Sequence, residues 1–231
     1  MAFALPDEVD FFPHPLLVDD DGLLAMGSSL DTDTLLLAYQ FGIFPWTSAG
    51  QPLFWWYTHP RCVMYPDKLK VSKSMRPYLN SDKYHCTMDT AFKAVIEACR
   101  NQSRPGQEGT WLFDELQNVM CQLHEMGHAH SVEVWEGEEL VGGLYGLAFG
   151  DIFFGESMFA RKSNTSKLGF IRLVGHLKAN GYKLIDCQQE TAHIMSLGAE
   201  LMSKEAFFST LKKNILAPRK PGKWQFDSQQ L

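Results

Sequence analysis

Apolar positions change their period several times along the chain, and each change predicts an element. Residues 27–46 read as cap, helix and stop: Asp31 can cap, the run from Thr34 to Tyr39 is helical, Gly42 ends it and Pro45 prevents resumption. The aromatic block Phe54-Trp55-Trp56-Tyr57 predicts a strand closed by Pro60, with a second strand at about 61–65. Ser72 can cap a short helix that a proline interrupts. Residues 84–88 read as a strand and 90–99 as a helix, and a polar loop over 102–109 then delivers Trp111. Over 114–126, Leu116, Val119, Met120, Leu123 and Met126 recur on one helical face. After Gly127 the period becomes two. Strands over 131–135, 139–147 and 152–159, joined by short turns at Glu136-Gly137 and Gly150-Asp151, predict an antiparallel meander. A helix over 164–179 stopped by Gly181, a buried strand over 183–187 and a last helix over 204–213 capped by Ser203 complete the pattern.

Helices before a three-strand meander, then helix, strand and helix, indicate an α+β fold with a mixed central sheet. That order resembles the acetyltransferase-like (GNAT) fold, in which an acyl donor meets an amine at a splayed sheet. Charge suggests a boundary. The first sixty residues hold eight acids and no Lys or Arg, whereas the rest hold 19 acids against 21 bases. The expected organisation is a small acidic N-terminal α/β domain over 1–61 and an acetyltransferase-like catalytic domain over 62–231. Two acid-free runs stand out in the second part. One carries Arg161, Lys162, Lys167, Arg172, Lys178 and Lys183; the other carries Lys212, Lys213, Arg219, Lys220 and Lys223. Such runs can attract phosphate, although the net charge of -6 argues against a nonspecific nucleic-acid binder.

Composition narrows the classes further. A chain 45% hydrophobic and 13% aromatic has ample material for a core, which excludes disorder. No apolar run approaches the roughly 20 residues of a membrane helix, and the first charges are Asp7, Glu8 and Asp10 rather than the basic start of a signal peptide. Five scattered cysteines with no Cys-x-x-Cys pair fit a reducing compartment. A soluble, cytoplasmic protein is expected.

The loudest chemical motif is His124-Glu125-Met126-Gly127-His128, a literal H-E-x-x-H. A zinc peptidase needs both histidines on one helical turn. Here Gly127 falls where the apolar face stops, which puts His128 past the helix end, so no metal is expected. Two buried carboxylates carry more weight. Glu156 follows Gly155 inside an apolar strand, where a glycine marks a bulge, and Asp186 ends the aliphatic strand Leu184-Ile185-Asp186-Cys187-Gln188. Alternation places Asp186 and Gln188 on one face. The acyl-CoA variant of the fold needs glycines after the fourth strand, and this chain reads Arg161-Lys162-Ser163-Asn164-Thr165-Ser166 there, so coenzyme A is not expected. Trp46 and Trp111, beside turns, could stack a nucleobase.

Together these segments resemble one family, the bacterial leucyl/phenylalanyl-tRNA–protein transferases. The resemblance is carried by Gly22-Leu23-Leu24-Ala25-Met26-Gly27, Ala38-Tyr39-Gln40-Phe41-Gly42-Ile43-Phe44-Pro45-Trp46, Glu108-Gly109-Thr110-Trp111, Gly155-Glu156-Ser157-Met158-Phe159, and Leu184-Ile185-Asp186-Cys187-Gln188 with His193 and Ser196-Leu197-Gly198-Ala199. It implies transfer of Leu or Phe, less readily Met, from aminoacyl-tRNA to the α-amino group of proteins beginning with Lys or Arg. The product is thereby marked for the N-end rule pathway. No cofactor is implied, and a monomer is expected. The resemblance places the catalytic carboxylate at Asp186, its glutamine partner at Gln188 and a further carboxylate at Glu156. It places the indoles near the 3′ adenosine at Trp46 and Trp111, and the aminoacyl pocket at Leu144, Met158, Phe170, Leu173, Leu177 and Ile185. Asp186 is the expected proton acceptor.

Overall fold

The computed structural model describes residues 2–47, 50–102 and 112–226. Trp111 and the Glu108-Gly109-Thr110-Trp111 motif lie outside them. Two sheets organise the chain. Strands β1 (Phe3–Leu5), β2 (Leu23–Gly27), β3 (Phe44–Pro45) and β4 (Phe54–Trp56) form a four-stranded sheet in the order β1-β2-β4-β3. Helix α1 (Thr32–Gln40) belongs with it, and Asp31 caps that helix by accepting the Thr34 N–H at 2.8 Å.

The second sheet has seven strands: β5 (Arg61–Met64), β6 (His85–Met88), β7 (Ala129–Glu136), β8 (Glu139–Phe149), β9 (Ile152–Ala160), β10 (Leu184–Gln188) and β11 (Glu200–Met202). Their order is β11-β5-β10-β9-β8-β7-β6. The meander β7-β8-β9 is antiparallel, and β10 joins β9 in parallel. That join requires a crossover, which helix α5 (Thr165–Ala179) supplies. The sheet is mixed and the fold is α+β. Short helices α2 (Arg76–Leu79) and α6 (Ala192–Ser196) lie in its connections.

Period-two strands present two faces, and both are covered. Val132, Leu144, Phe153 and Ile185 meet α5 on one side. On the other, Tyr145, Leu147 and Phe154 pack with helices α3 (Phe92–Arg100) and α4 (Asp114–Glu125). The same cluster continues through Leu24, Trp55 and Tyr57 of the small sheet to Phe207 and Leu211 of helix α7 (Lys204–Asn214). The two sheets therefore share one core.

Helix α4 stops as its glycine requires. Gly127 has φ +81°, and a side chain there would fall 2.8 Å from Gly222 Cα. The two histidines of the H-E-x-x-H motif consequently part company. His124 stacks on Phe92 with its Nδ1 2.8 Å from the Ala129 carbonyl, whereas His128 stacks on Phe149.

One ion pair within the seven-stranded sheet anchors that sheet's contact with the small one. Arg61, 1% exposed, donates from Nε to Asp186 Oδ1 at 2.8 Å and from Nη2 to Asp186 Oδ2 at 2.6 Å. Nη2 also reaches the Gly42 carbonyl at 2.8 Å. Its guanidinium lies over Phe44, Tyr57 and Phe207, with the Phe207 centroid nearest at 4.6 Å. Gly42, at φ +71°, can approach because a Cβ there would meet the Phe207 ring at 2.8 Å. Removing one partner of a fully buried pair leaves the other uncompensated. Asp186→Asn is therefore expected to lower unfolding stability by about 3–5 kcal/mol, read from denaturant midpoints. A loss near zero would show that Arg61 does not depend on this carboxylate.

Candidate active site

β9 and β10 pair only as far as Phe154 and Asp186, and beyond that level both strands are irregular. On β9, Tyr145 faces Ser157 and Gly146 faces Gly155, so Glu156 is the extra residue of a bulge. On β10, Asp186 faces Val63 and Gln188 faces Cys62, which leaves Cys187 over. Bulges at the same level turn two strands away from each other. A cavity of about 610 Å³ opens there, within the usual size range of small-molecule sites.

Its floor and one wall are apolar. Leu144, Met158, Phe170, Leu173 and Ile185 line it, as the family resemblance implies, together with Phe153. Leu177 does not. The α5 stripe that brings Ser166, Phe170 and Leu173 to the cavity runs one turn further, and Leu177, 0% exposed, lies in the core beneath. Trp46 lines the rim, 36% exposed and tilted against Trp56. The Trp56 indole holds it by donating to the Trp46 carbonyl at 2.8 Å.

The polar side of the cavity is built around Glu156. Its Oε1 accepts from the Tyr39 hydroxyl at 2.7 Å and from Gln188 Nε2 at 2.8 Å. Tyr39 comes from α1, so the small sheet's helix completes the site. Burial pushes the Glu156 carboxyl up to about 7, and the nearby Asp186 charge adds to the effect, against the two hydrogen bonds. Burial and Glu156 likewise push the Tyr39 phenol well up, which keeps it a donor.

Asp186 stands differently from its expected role. It is 0% exposed and does not line the cavity. Oδ1 accepts from Arg61 Nε and from the Gln188 N–H at 2.9 Å, and Oδ2 accepts from Arg61 Nη2. Taking a proton there would sacrifice charge-assisted bonds. Its geometry suits holding Gln188, whose backbone sits at φ +59°, where alternation along the strand ends. The expected shared face thus arises through a bulge and a left-handed residue. Tyr39 and Arg61 carried no sequence signal of this role, because both reach the site across more than a hundred positions.

The basic runs are not acid-free surfaces. Lys162 pairs with Glu136 and Glu139, Lys178 with Asp67, and Arg219 with Asp151, each acid coming from a distant segment. Among the described residues no helix is long and apolar enough to cross a membrane.

Comparison with known proteins agrees with the resemblance read from the motifs. The family described as leucyl/phenylalanyl-tRNA protein transferase matches residues 63–212, and the family of its N-terminal domain matches 28–59. A leucyl/phenylalanyl-tRNA–protein transferase of Christiangramia forsetii is 51% identical over 213 residues, covering 91% of this chain and 100% of its own. One of Oleidesulfovibrio alaskensis is 45% identical over 228 residues, covering 96% and 92%. Among solved structures, a GCN5-related N-acetyltransferase from Kribbella flavida aligns over 73% of this chain and 60% of its own at 12% identity and a TM-score of 0.36. A likeness that loose carries no functional weight. Carried by the relatives and the family match, the chain belongs to the leucyl/phenylalanyl-tRNA protein transferase family and is an aminoacyltransferase.

Proposed function

We propose that this chain moves Leu or Phe, and less readily Met, from aminoacyl-tRNA to the α-amino group of proteins beginning with Lys or Arg. It acts as a cytoplasmic monomer, and its products enter the N-end rule pathway. One observation carries the reading: an apolar cavity whose polar rim holds a carboxyl poised near neutrality, backed by an ion-paired aspartate.

The donor ester is already activated, so the work is positioning, which can contribute about 7–11 kcal/mol. The apolar wall takes the donor side chain and reads size rather than polarity, which suits Leu, Phe and Met together. Trp46 offers a face to the terminal adenosine. The attacking amine must shed a proton, and an N-terminal amine has a pKa of about 8. Glu156 is the carboxylate able to take that proton, because Tyr39 and Gln188 occupy only one of its oxygens. Asp186, held by Arg61, is a positioning residue: it fixes Gln188 and adds negative charge that favours a cationic acceptor. The basic runs contribute to tRNA docking to the extent that distant acids leave their charge available.

Incubating the chain with labelled Leu-tRNA and an Arg-initiated peptide should yield labelled peptide and deacylated tRNA. Binding of charged tRNA without its consumption would reduce the protein to a binding module and sink the proposal.

The pocket makes a second expectation. Leu173→Trp narrows the apolar wall, and overpacking penalises the larger ligand. Phe transfer should therefore fall more than Leu transfer; equal losses would mean that Leu173 does not contact the donor side chain.

Glu156 sets the pH dependence. Its folded pKa of about 7 lies above its ordinary 4.5, so its contribution to stability is full below about 4.5 and is lost as pH rises through 7. Activity runs the other way, because only the carboxylate accepts a proton. Single-turnover transfer at saturating donor and acceptor should rise through pH 7, with the amine adding a limb near 8. Glu156→Gln should erase the lower limb and cut turnover by about 10²–10⁴. A persistent inflection near 7 in that variant would move the proton to another group.

A further inference from the structure

Beyond α7 the chain runs back across the large sheet as a strap. Pro218 and Pro221 keep it from resuming a helix, and successive contacts pin it down. Arg219 donates from Nε to Asp151 Oδ1 at 2.7 Å and from Nη2 to the Asn180 carbonyl at 2.9 Å, with its guanidinium 3.9 Å over the Tyr182 ring. The Gly222 N–H donates to the Gly127 carbonyl at 3.2 Å, so the glycine that parts the two histidines of the H-E-x-x-H motif also clears the strap's path. The Trp224 backbone N–H donates to Asp89 Oδ2 at 2.7 Å, and the indole stacks on His130 with ring centroids 3.7 Å apart and planes 6° from parallel. His176, Tyr182 and Phe153 complete a box around that indole, at centroid distances of 4.9, 5.6 and 5.9 Å.

One wall of this box is shared with the cavity. Phe153 is buried and lines the cavity, whereas Trp224 does not line it. The Phe153 ring leans over Gly146, where a Cβ would meet its Cζ at 2.6 Å, and Gly146 pairs in register with His130. Strand β8 therefore offers the ring bare backbone at this level, and the strap supplies an aromatic neighbour at a distance typical of packed ring pairs.

We propose that Trp224 is a positioning residue of the donor pocket: from outside the cavity it backs Phe153 and thereby sets how deep the pocket is. The inference rests on the reading above, in which this cavity seats the donor side chain. While the box is full, close packing leaves the Phe153 ring nowhere to go. Removing the indole leaves a space into which the ring can swing, and the floor of the pocket drops. A short donor side chain then loses its contact with the floor, whereas a longer one still reaches it. Leu should suffer more than Phe, the opposite sign to the effect expected of Leu173→Trp. The family matches cover residues 28–59 and 63–212, so the strap lies outside both.

The test uses the full chain carrying Trp224→Ala, with Leu-tRNA and Phe-tRNA as donors and an Arg-initiated peptide as acceptor. The expected result is a fall in kcat/KM for Leu-tRNA of about tenfold relative to Phe-tRNA, the scale of a lost methylene-sized contact. Turnover at saturating donor should stay close to that of the parent, because Glu156, Tyr39 and Gln188 bond to one another and not to the strap. Trp224→Phe should restore the parent's preference, and Trp224→Leu serves if the alanine variant does not fold. An unchanged Leu-to-Phe ratio, or equal losses for both donors alongside a lowered melting temperature, would overturn the proposal and leave Trp224 a structural residue. A second measurement needs no transfer. In protein labelled with para-fluorophenylalanine, the Phe153 fluorine resonance, identified by its loss in Phe153→Leu, should move in Trp224→Ala; an unmoved resonance also overturns the proposal. If the parent transfers neither donor, the proposed function fails, while the fluorine spectrum still decides whether the indole holds Phe153.

Discussion

A buried guanidinium with one carboxylate is the constraint on which the rest of this structure turns. An isolated charge in a protein interior is expensive, so Arg61 can remain at 1% exposure only while Asp186, the Gly42 carbonyl and three aromatic rings surround it. Those partners come from α1's glycine stop, from both sheets and from α7. Satisfying one side chain thus dictates where four parts of the chain must meet. Such a pair adds little net stability compared with an apolar replacement. What it contributes here is a fixed geometry, because a bidentate fork tolerates little change of angle.

That geometry sorts two carboxylates standing close together. Asp186 is held on both oxygens by a permanent cation, Arg61. Glu156 has only neutral donors, Tyr39 and Gln188, and faces both burial and the charge of Asp186. Environments that push two acids apart are a common way to obtain one fixed charge and one exchangeable proton from identical chemistry. The two bulges are the structural device. They part β9 from β10 where the cavity must open, and they turn Glu156 and Gln188 towards each other across the gap.

Long, periodic elements were readable from the sequence. The α4 stripe ending at Gly127, the meander and α5 all lie within a few residues of their expected bounds. Strands β1, β2, β3 and β11 were not, because two to five residues at a sheet margin carry no alternation to detect. Within the cavity, Glu156 could be found because a carboxylate after a glycine breaks an apolar strand. Leu177 was misplaced because helical periodicity does not say where a cavity ends and core begins. Arg61 and Tyr39 escaped because a lone Arg or Tyr has no local pattern, and their value lies in partners remote along the chain. The partners of Lys162 and Lys178 escaped for the same reason, since acids distant in sequence lie beside them in space.

The contact between Arg61 and Phe207 also orders events during synthesis. The small sheet and β5 leave the ribosome first, yet the ring that covers the guanidinium belongs to α7, and Tyr57 donates its hydroxyl to the Lys204 carbonyl at 3.0 Å. More than half of the chain must be translated between Arg61 and that helix, an interval on the order of ten seconds at ordinary elongation rates. Until then Arg61 lacks the ring that lies nearest over its guanidinium. A chain that stops before α7 therefore carries the cavity's strands without the ring that covers Arg61.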